Sequence, residues 1–143
     1  MPETPDDATA RLRDIEAIKV VKSRYFRFMD EKDWPAMRAL LADDLEFHHP
    51  TIGSFTDADA TIAAVGERVA AIRSVHQGHD PEVTVHGDDA DGLWGLQSFV
   101  SSPTDPSVQI TRFARYTDRF RRIDGSWKIS YIHFAYLWDS AAA

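Results

Sequence analysis

An α+β fold, with three N-terminal helices laid on one strongly curved and mostly antiparallel sheet, is predicted by three observations. Apolar residues recur at steps of three and four through the first third of the chain, the spacing of a helix face. From Val75 onward the recurrence changes to steps of two, the alternation of strands with one face buried. The 143 residues contain no internal repeat, low-complexity tract or linker, which predicts a single domain over 1–143. Helices that precede a meander of long strands cover one face of the sheet, and a curved sheet closed over by helices makes a cone-shaped α+β barrel with room for a pocket.

The first helix is marked by Leu12, Ile15, Ile18, Val21, Tyr25, Phe28 and Met29. Pro5 behind Thr4 suits a helix start, and Asp33 can cap a second helix, so the first ends around Asp30 to Lys32. Trp34, Met37, Leu40 and Leu41 give the second helix its apolar side, and Leu45 to His49 alternates as a short strand that stops at Pro50. A third helix follows Thr56, with Ile62, Val65, Val69 and Ile72 on one side and Asp57 and Asp59 in its first turn, where the helix dipole favours acids. The strand regions are Val83 to His86, Leu93 to Val100, Val108 to Phe120 and Trp127 to Trp138, parted by the turn signals Gly87-Asp88-Asp89, Asp91-Gly92, Pro103 to Pro106 and Asp124-Gly125.

Composition narrows function. Sixteen Lys and Arg against 23 Asp and Glu leave a net charge of −7, which repels phosphate backbones and anionic lipid, so neither nucleic acid nor a membrane surface is an expected partner. No cysteine is present, which excludes disulfides, thiol catalysis and cysteine-based zinc sites and is compatible with the cytoplasm, the expected location. The acidic start, Met1 to Asp7, lacks the basic and apolar regions of a signal peptide, and no apolar run reaches the ~18 residues of a membrane span. Gly-x-Ser-x-Gly and the phosphate-cradling glycine motifs are missing, which removes hydrolase-elbow, P-loop and dinucleotide readings.

Chemistry concentrates in carboxylates, histidines and tyrosines. Asp30 closes a strongly aromatic helix end, Tyr25 to Met29, and lies about 40° round the wheel from Phe26 and about 140° from Tyr25. That is the edge of the apolar stripe, from which either burial or exposure is open. His76 sits where the third helix hands over to the sheet, a position typical of sites. His48 and His49 are adjacent on a strand and face opposite ways, as do His76 and His79 in extended chain, so no metal site is expected. His86 beside Gly87 reads as an exposed turn residue and His133 as a sheet histidine. The stripe Phe134, Tyr136 and Trp138 is either core or the wall of an apolar ligand pocket, to which Tyr116, Tyr131 or Tyr136 would offer a hydroxyl.

Three segments, Tyr25 to Trp34, Val75 to His79, and Tyr116 to Phe120 running on to Asp124-Gly125-Ser126-Trp127-Lys128-Ile129, resemble over nearly the whole chain the SnoaL-like branch of the nuclear transport factor 2 superfamily. Within it the likeness is to scytalone dehydratase, the bile-acid 7α-dehydratases and hexachlorocyclohexane dehydrochlorinase. The resemblance implies an open cone, a dimer through the outer face of the sheet, and an Asp–His dyad that falls on Asp30 and His76. Tyr25 matches a tyrosine that precedes the aspartate by five residues in the bile-acid enzymes, Met29 stands where scytalone dehydratase has a tyrosine, and a polar donor of the penultimate strand falls on Tyr116.

The expectation is therefore a cofactor-free lyase that removes water or another leaving group from a small hydrophobic cyclic substrate. His76 is the expected base, Asp30 its orienter, and Tyr25 or Tyr116 the group that polarises a substrate oxygen, with His79 and His49 as further polar candidates. Phe47, Phe99, Phe113, Ile132, Phe134 and Trp138 are the expected source of apolar walls. A proton-shuttling isomerase resembling ketosteroid isomerase, and a non-catalytic ligand-binding or dimerisation module, are the alternatives. The expected assembly is a homodimer through strands after residue 90.

Overall fold

Thr4 starts the chain's first element by a reciprocal cap. Its hydroxyl accepts the Asp7 N–H at 3.1 Å while the Asp7 carboxylate accepts the Thr4 N–H at 3.2 Å, and Pro5 opens the first turn. The computed structural model describes residues 1–141, so the last two residues of the expected 1–143 domain lie outside the described part. Helix α1 (Pro5–Glu31) ends at Lys32, which takes the left-handed conformation (φ 57°) and lets the Lys32 and Asp33 N–H groups bond back to Met29 and Phe28. Its buried stripe is Ile18, Val21, Lys22, Tyr25, Phe26 and Met29. The stripe is shorter than its periodicity suggests, since Leu12 is 57% exposed, and it includes a lysine and Phe26 that the pattern of apolar steps passes over.

Asp33 caps α2 (Trp34–Arg38) by accepting the Ala36 N–H at 3.1 Å. This helix stops one turn earlier than expected. The Leu40 carbonyl instead accepts the Ile129 N–H, and Leu41 begins β1 (Leu41–His49). After a turn at Pro50, β2 (Gly53–Phe55) folds back on β1, a strand too short to leave a periodic signal. Asp57 stands just outside α3 (Ala58–Val69) as its cap, accepting the Ala60 N–H at 2.7 Å, and Asp59 is the acid of the first turn.

Four long strands complete the chain: β3 (Ser74–His86), β4 (Asp89–Ser101), β5 (Gln109–Ile123) and β6 (Ser126–Asp139). They pair antiparallel in chain order, and β1 joins β6 in parallel, giving one six-stranded sheet of order β2-β1-β6-β5-β4-β3. The ends of that order do not meet, so the cone is an open curved sheet rather than a closed barrel. The inner phase is Gly92, Trp94, Leu96, Ser98 and Val100 on β4 and Ala114, Tyr116, Asp118 and Phe120 on β5, all buried. Together with the α1 stripe they form the core, and the space between the sheet and the α1 and α3 helices narrows to the site. No helix among the described residues is long and apolar enough to cross a membrane.

Candidate active site

Helix α1 delivers Asp30 at its last turn, and β3 runs past that end with Ser74 and His76 in the same phase. Three donors converge on the carboxylate. The His76 Nδ1 lies 2.6 Å from Oδ1, the Ser74 hydroxyl donates to Oδ1 at 2.9 Å, and the His76 backbone N–H donates to Oδ2 at 2.9 Å. The side chains of His76 and Asp30 are 10% and 21% exposed. A carboxylate against Nδ1 keeps that nitrogen protonated, which leaves the Nε2 lone pair free. Nε2 has no partner among the described residues, and His76 lines the cavity.

Phe26 holds the imidazole from the other side. Its ring lies parallel to that of His76 with centroids 6.3 Å apart, and it rests on the backbone of Gly78, where a Cβ would collide with it. The glycine in Val75-His76-Gln77-Gly78 is thus the strand's concession to an aromatic ring packed against it.

The cavity encloses about 100 Å³. That volume takes a single small ring, and a larger ligand extends through the mouth. Tyr25 and Tyr116 lie at its floor, Phe47, Leu96 and Phe134 form apolar walls, and Val65, Val69 and Ile72 close it from the α3 side. Burial pushes the hydroxyls of both tyrosines well above their ordinary pKa, with the Asp118 carboxylate adding to it, so each remains a hydrogen-bond donor at any physiological pH. His49 stacks on Phe134 with centroids 4.2 Å apart, and its Nδ1 accepts the N–H groups of Thr51 and Ile52 at 3.2 and 3.3 Å. Burial, with the guanidinium charges of Arg68 and Arg112, lowers its pKa from 6.5 to about 4. His49 is therefore a neutral imidazole with its proton on Nε2, a donor and not a base.

Of the residues expected at the site, His76, Tyr25, Tyr116, His49, Phe47 and Phe134 line this cavity, and Asp30 joins them through its contact with His76. Ile132 is fully buried in the core and does not line the cavity. Phe99, Phe113, Trp138 and His79 lie on the opposite, outer face. Ser98 and Val100 take the inward phase, so Phe99 points out. The Phe113↔Trp138 and Ala114↔Tyr136 pairs leave Leu137 as an extra residue, and this bulge turns Trp138 away from the cavity that Tyr136 lines. Trp138 packs there against Phe113, the rings tilted by 52° with centroids 5.8 Å apart, and is 53% exposed. His79 lies over Gly95 on the outer face and meets Asp80 at 3.2 Å.

Sequence reasoning missed Arg68, Arg112, Ser98 and Thr51 among the lining residues. Arg112 shares the inward phase of Ala114 and Tyr116, the signal by which it was detectable. A buried ion pair was missed as well. Lys22 Nζ and Asp118 Oδ2 are 2.7 Å apart with both side chains fully buried, and the ammonium lies 3.6 Å from the Tyr116 ring centroid and 4.4 Å from that of Tyr25. Burial pushes the Lys22 pKa down and the Asp118 pKa up, and each opposes the shift of the other.

Comparison with known proteins follows the same lines. The family described as the SnoaL-like domain matches residues 10–133. A scytalone dehydratase-like protein of Novosphingobium aromaticivorans superposes with a TM-score of 0.86 at 17% identity, over 95% of this chain and 92% of that one. The type 3 hexachlorocyclohexane dehydrochlorinase of Novosphingobium barchaimii gives 0.82 at 21% identity, over 91% and 90%. A dehydratase-like protein of the NTF2-like family from Streptomyces avermitilis gives 0.78 at 17%, over 88% and 98%. At these identities the likeness is one of fold.

Proposed function

The chain belongs to the SnoaL-like domain family, and from that premise we propose that it is a cofactor-independent lyase that performs a dehydratase-type elimination on a small hydrophobic cyclic substrate. The observation that carries this reading is the Asp30–His76 contact of 2.6 Å, with Nε2 left unpartnered and His76 lining a cavity that also has apolar walls. A ring seated over Tyr25 and Tyr116 presents a C–H bond to that nitrogen. Nε2 takes the proton, the C–H electron pair becomes the new double bond, and the leaving group departs from the neighbouring carbon. Asp30 stabilises the imidazolium formed in that step. Where the leaving group is hydroxyl, the imidazolium returns the proton to the departing oxygen and water is released. Tyr25 and Tyr116, held protonated by burial and hydrogen-bonded to each other, offer one free hydroxyl proton to a carbonyl or to the leaving oxygen and stabilise the charge that develops there.

The test is a screen of hydroxylated and halogenated cyclic compounds for loss of hydroxyl or halide, followed by His76→Ala on whichever compound turns over. A drop of roughly a hundredfold or more with the fold retained is expected; near-normal turnover would remove His76 as the base, and a screen in which no compound reacts would leave a ligand-binding module as the better reading. The same proposal includes a cytoplasmic setting and a homodimer in which a second copy covers the outer face, where Val75, Phe113, Leu137 and Trp138 stand exposed. Sedimentation as a monomer at micromolar concentration would remove the dimer from it.

A further inference from the structure

The mouth of the cavity carries charge that an elimination on a neutral substrate does not use. In a chain of net charge −7, the cavity is lined by two arginines and by no Asp or Glu. Arg112 is partly neutralised, since its Nε donates to Asp139 at 2.7 Å, which leaves its terminal amino groups without a partner among the described residues. Arg68, at the last turn of α3, makes no ion pair among the described residues. Two guanidinium charges and one carboxylate leave a local excess of one positive charge. His49 lies among these groups, neutral and with its Nε2 proton available, because its Nδ1 already accepts two backbone N–H groups. Arg68, Arg112 and His49 line the same cavity.

On the reading of this cavity as the substrate site, we propose that the substrate is a cyclic monoacid whose carboxylate is bound by Arg68 and the terminal amino groups of Arg112, beside the His49 N–H. A planar carboxylate matches a guanidinium fork, and a single negative charge cancels the local excess. Binding at the mouth orients the ring, with the apolar body directed inward toward the Tyr25 and Tyr116 floor and a C–H bond toward His76. The arrangement selects against the uncharged isostere, since its amide would leave the mouth's positive charge uncompensated.

The experiment compares benzoate with benzamide, two ligands of one shape, by calorimetry and by ring-proton shifts of His49 and His76, in the native chain and in Arg68→Met. Benzoate is expected to bind about tenfold tighter than benzamide at low salt, with that preference falling severalfold in R68M while benzamide affinity holds. Equal or tighter binding of benzamide, or an unchanged preference in R68M, overturns the carboxylate subsite while leaving the pocket intact, provided the His76 ring still responds to the ligand. Phenyl phosphate binding tighter than benzoate also overturns it, in favour of a dianionic ligand. If neither benzoate nor benzamide moves the His76 ring, the pocket reading and this proposal fall together.

Discussion

Replacing Asp30 by asparagine changes one atom and inverts the polarity of the dyad. The carboxylate accepts three hydrogen bonds, two at Oδ1 from Ser74 and His76 Nδ1 and one at Oδ2 from the His76 backbone. An amide has a single acceptor oxygen. If that oxygen keeps the backbone N–H, the amide nitrogen of D30N must face His76 Nδ1 and donate to it, so the ring's proton moves to Nε2 and the lone pair no longer faces the cavity. The lost attraction between carboxylate and imidazolium is also large. At an effective dielectric of ~20 and about 4 Å between charge centres it is ~4 kcal/mol, about three decades of rate. The tautomer change adds to that loss, as in a triad whose aspartate is replaced by asparagine, where turnover falls ~10⁴-fold. D30N should therefore fold, bind ligand with near-native affinity and lose at least a hundredfold in turnover. The tautomer is readable without any substrate from ¹⁵N shifts of the His76 ring. Native Nδ1–H is expected to become Nε2–H. An unchanged tautomer together with unchanged turnover would refute the assignment of Asp30 as the group that sets the base.

Two further outcomes concern stability. His49 has a folded-state pKa of about 4 against an ordinary 6.5, so between those values the unfolded chain binds more protons and stability is lost as pH falls through the window. The full gap is worth ~3 kcal/mol, and partial exposure of the ring reduces this to roughly 1–2 kcal/mol; His49→Phe should flatten the urea-melt stability profile between pH 6.5 and 4, and a profile as steep as the native one would mean that a group other than His49 sets the slope. Lys22→Met leaves Asp118 as an uncompensated buried charge and should cost about 3–5 kcal/mol, most of it recovered in the double variant with Asp118→Leu. A double variant no more stable than Lys22→Met would show that the pair does not hold the core together in this way.

Legibility in the sequence followed the physics of each element. Helix α1, its Thr4 cap and the strands β4, β5 and β6 were readable because periodicity and capping are local, whereas β3 starts at Ser74, nine residues before the alternation at Val83. The end of α2 was not, since Leu40 and Leu41 fit a helix face equally well and the β6 strand that captures them lies some ninety residues away. The outward turn of Trp138 depends on the bulge at Leu137, which no alternation pattern announces. The dyad was readable by resemblance, whereas the wheel alone left Asp30 at the edge of the stripe. Lys22 and Asp118 were readable in principle. Lys22 stands four residues after Ile18 and seven before Met29, in the buried phase of α1, and Asp118 alternates with Tyr116 and Phe120. A reading that follows apolar residues alone steps over charges set in their midst.

Asp30 and Asp118 also bear on the isomerase alternative, in which an aspartate itself carries the proton. Asp30 does not line the cavity. It has both oxygens engaged by donors, and of the pair it is His76 that lines the cavity. Asp118 is the other buried carboxylate on the inner face, and Lys22 at 2.7 Å competes for it. On the proposed mechanism neither aspartate shuttles a proton between two carbons of a ring, and the histidine is the group that removes one. A proton removed by an imidazole that touches the cavity at one nitrogen returns most directly to the atom nearest that nitrogen. In an elimination that atom is the departing oxygen, and the product leaves without it. The buried tyrosines and the more exposed arginines line the same cavity, so on the proposed reading a ring held by its polar end turns its C–H bonds toward the base. On the reaction proposed for it, a cavity that combines two arginines, apolar walls and one histidine held by a carboxylate suits elimination better than isomerisation.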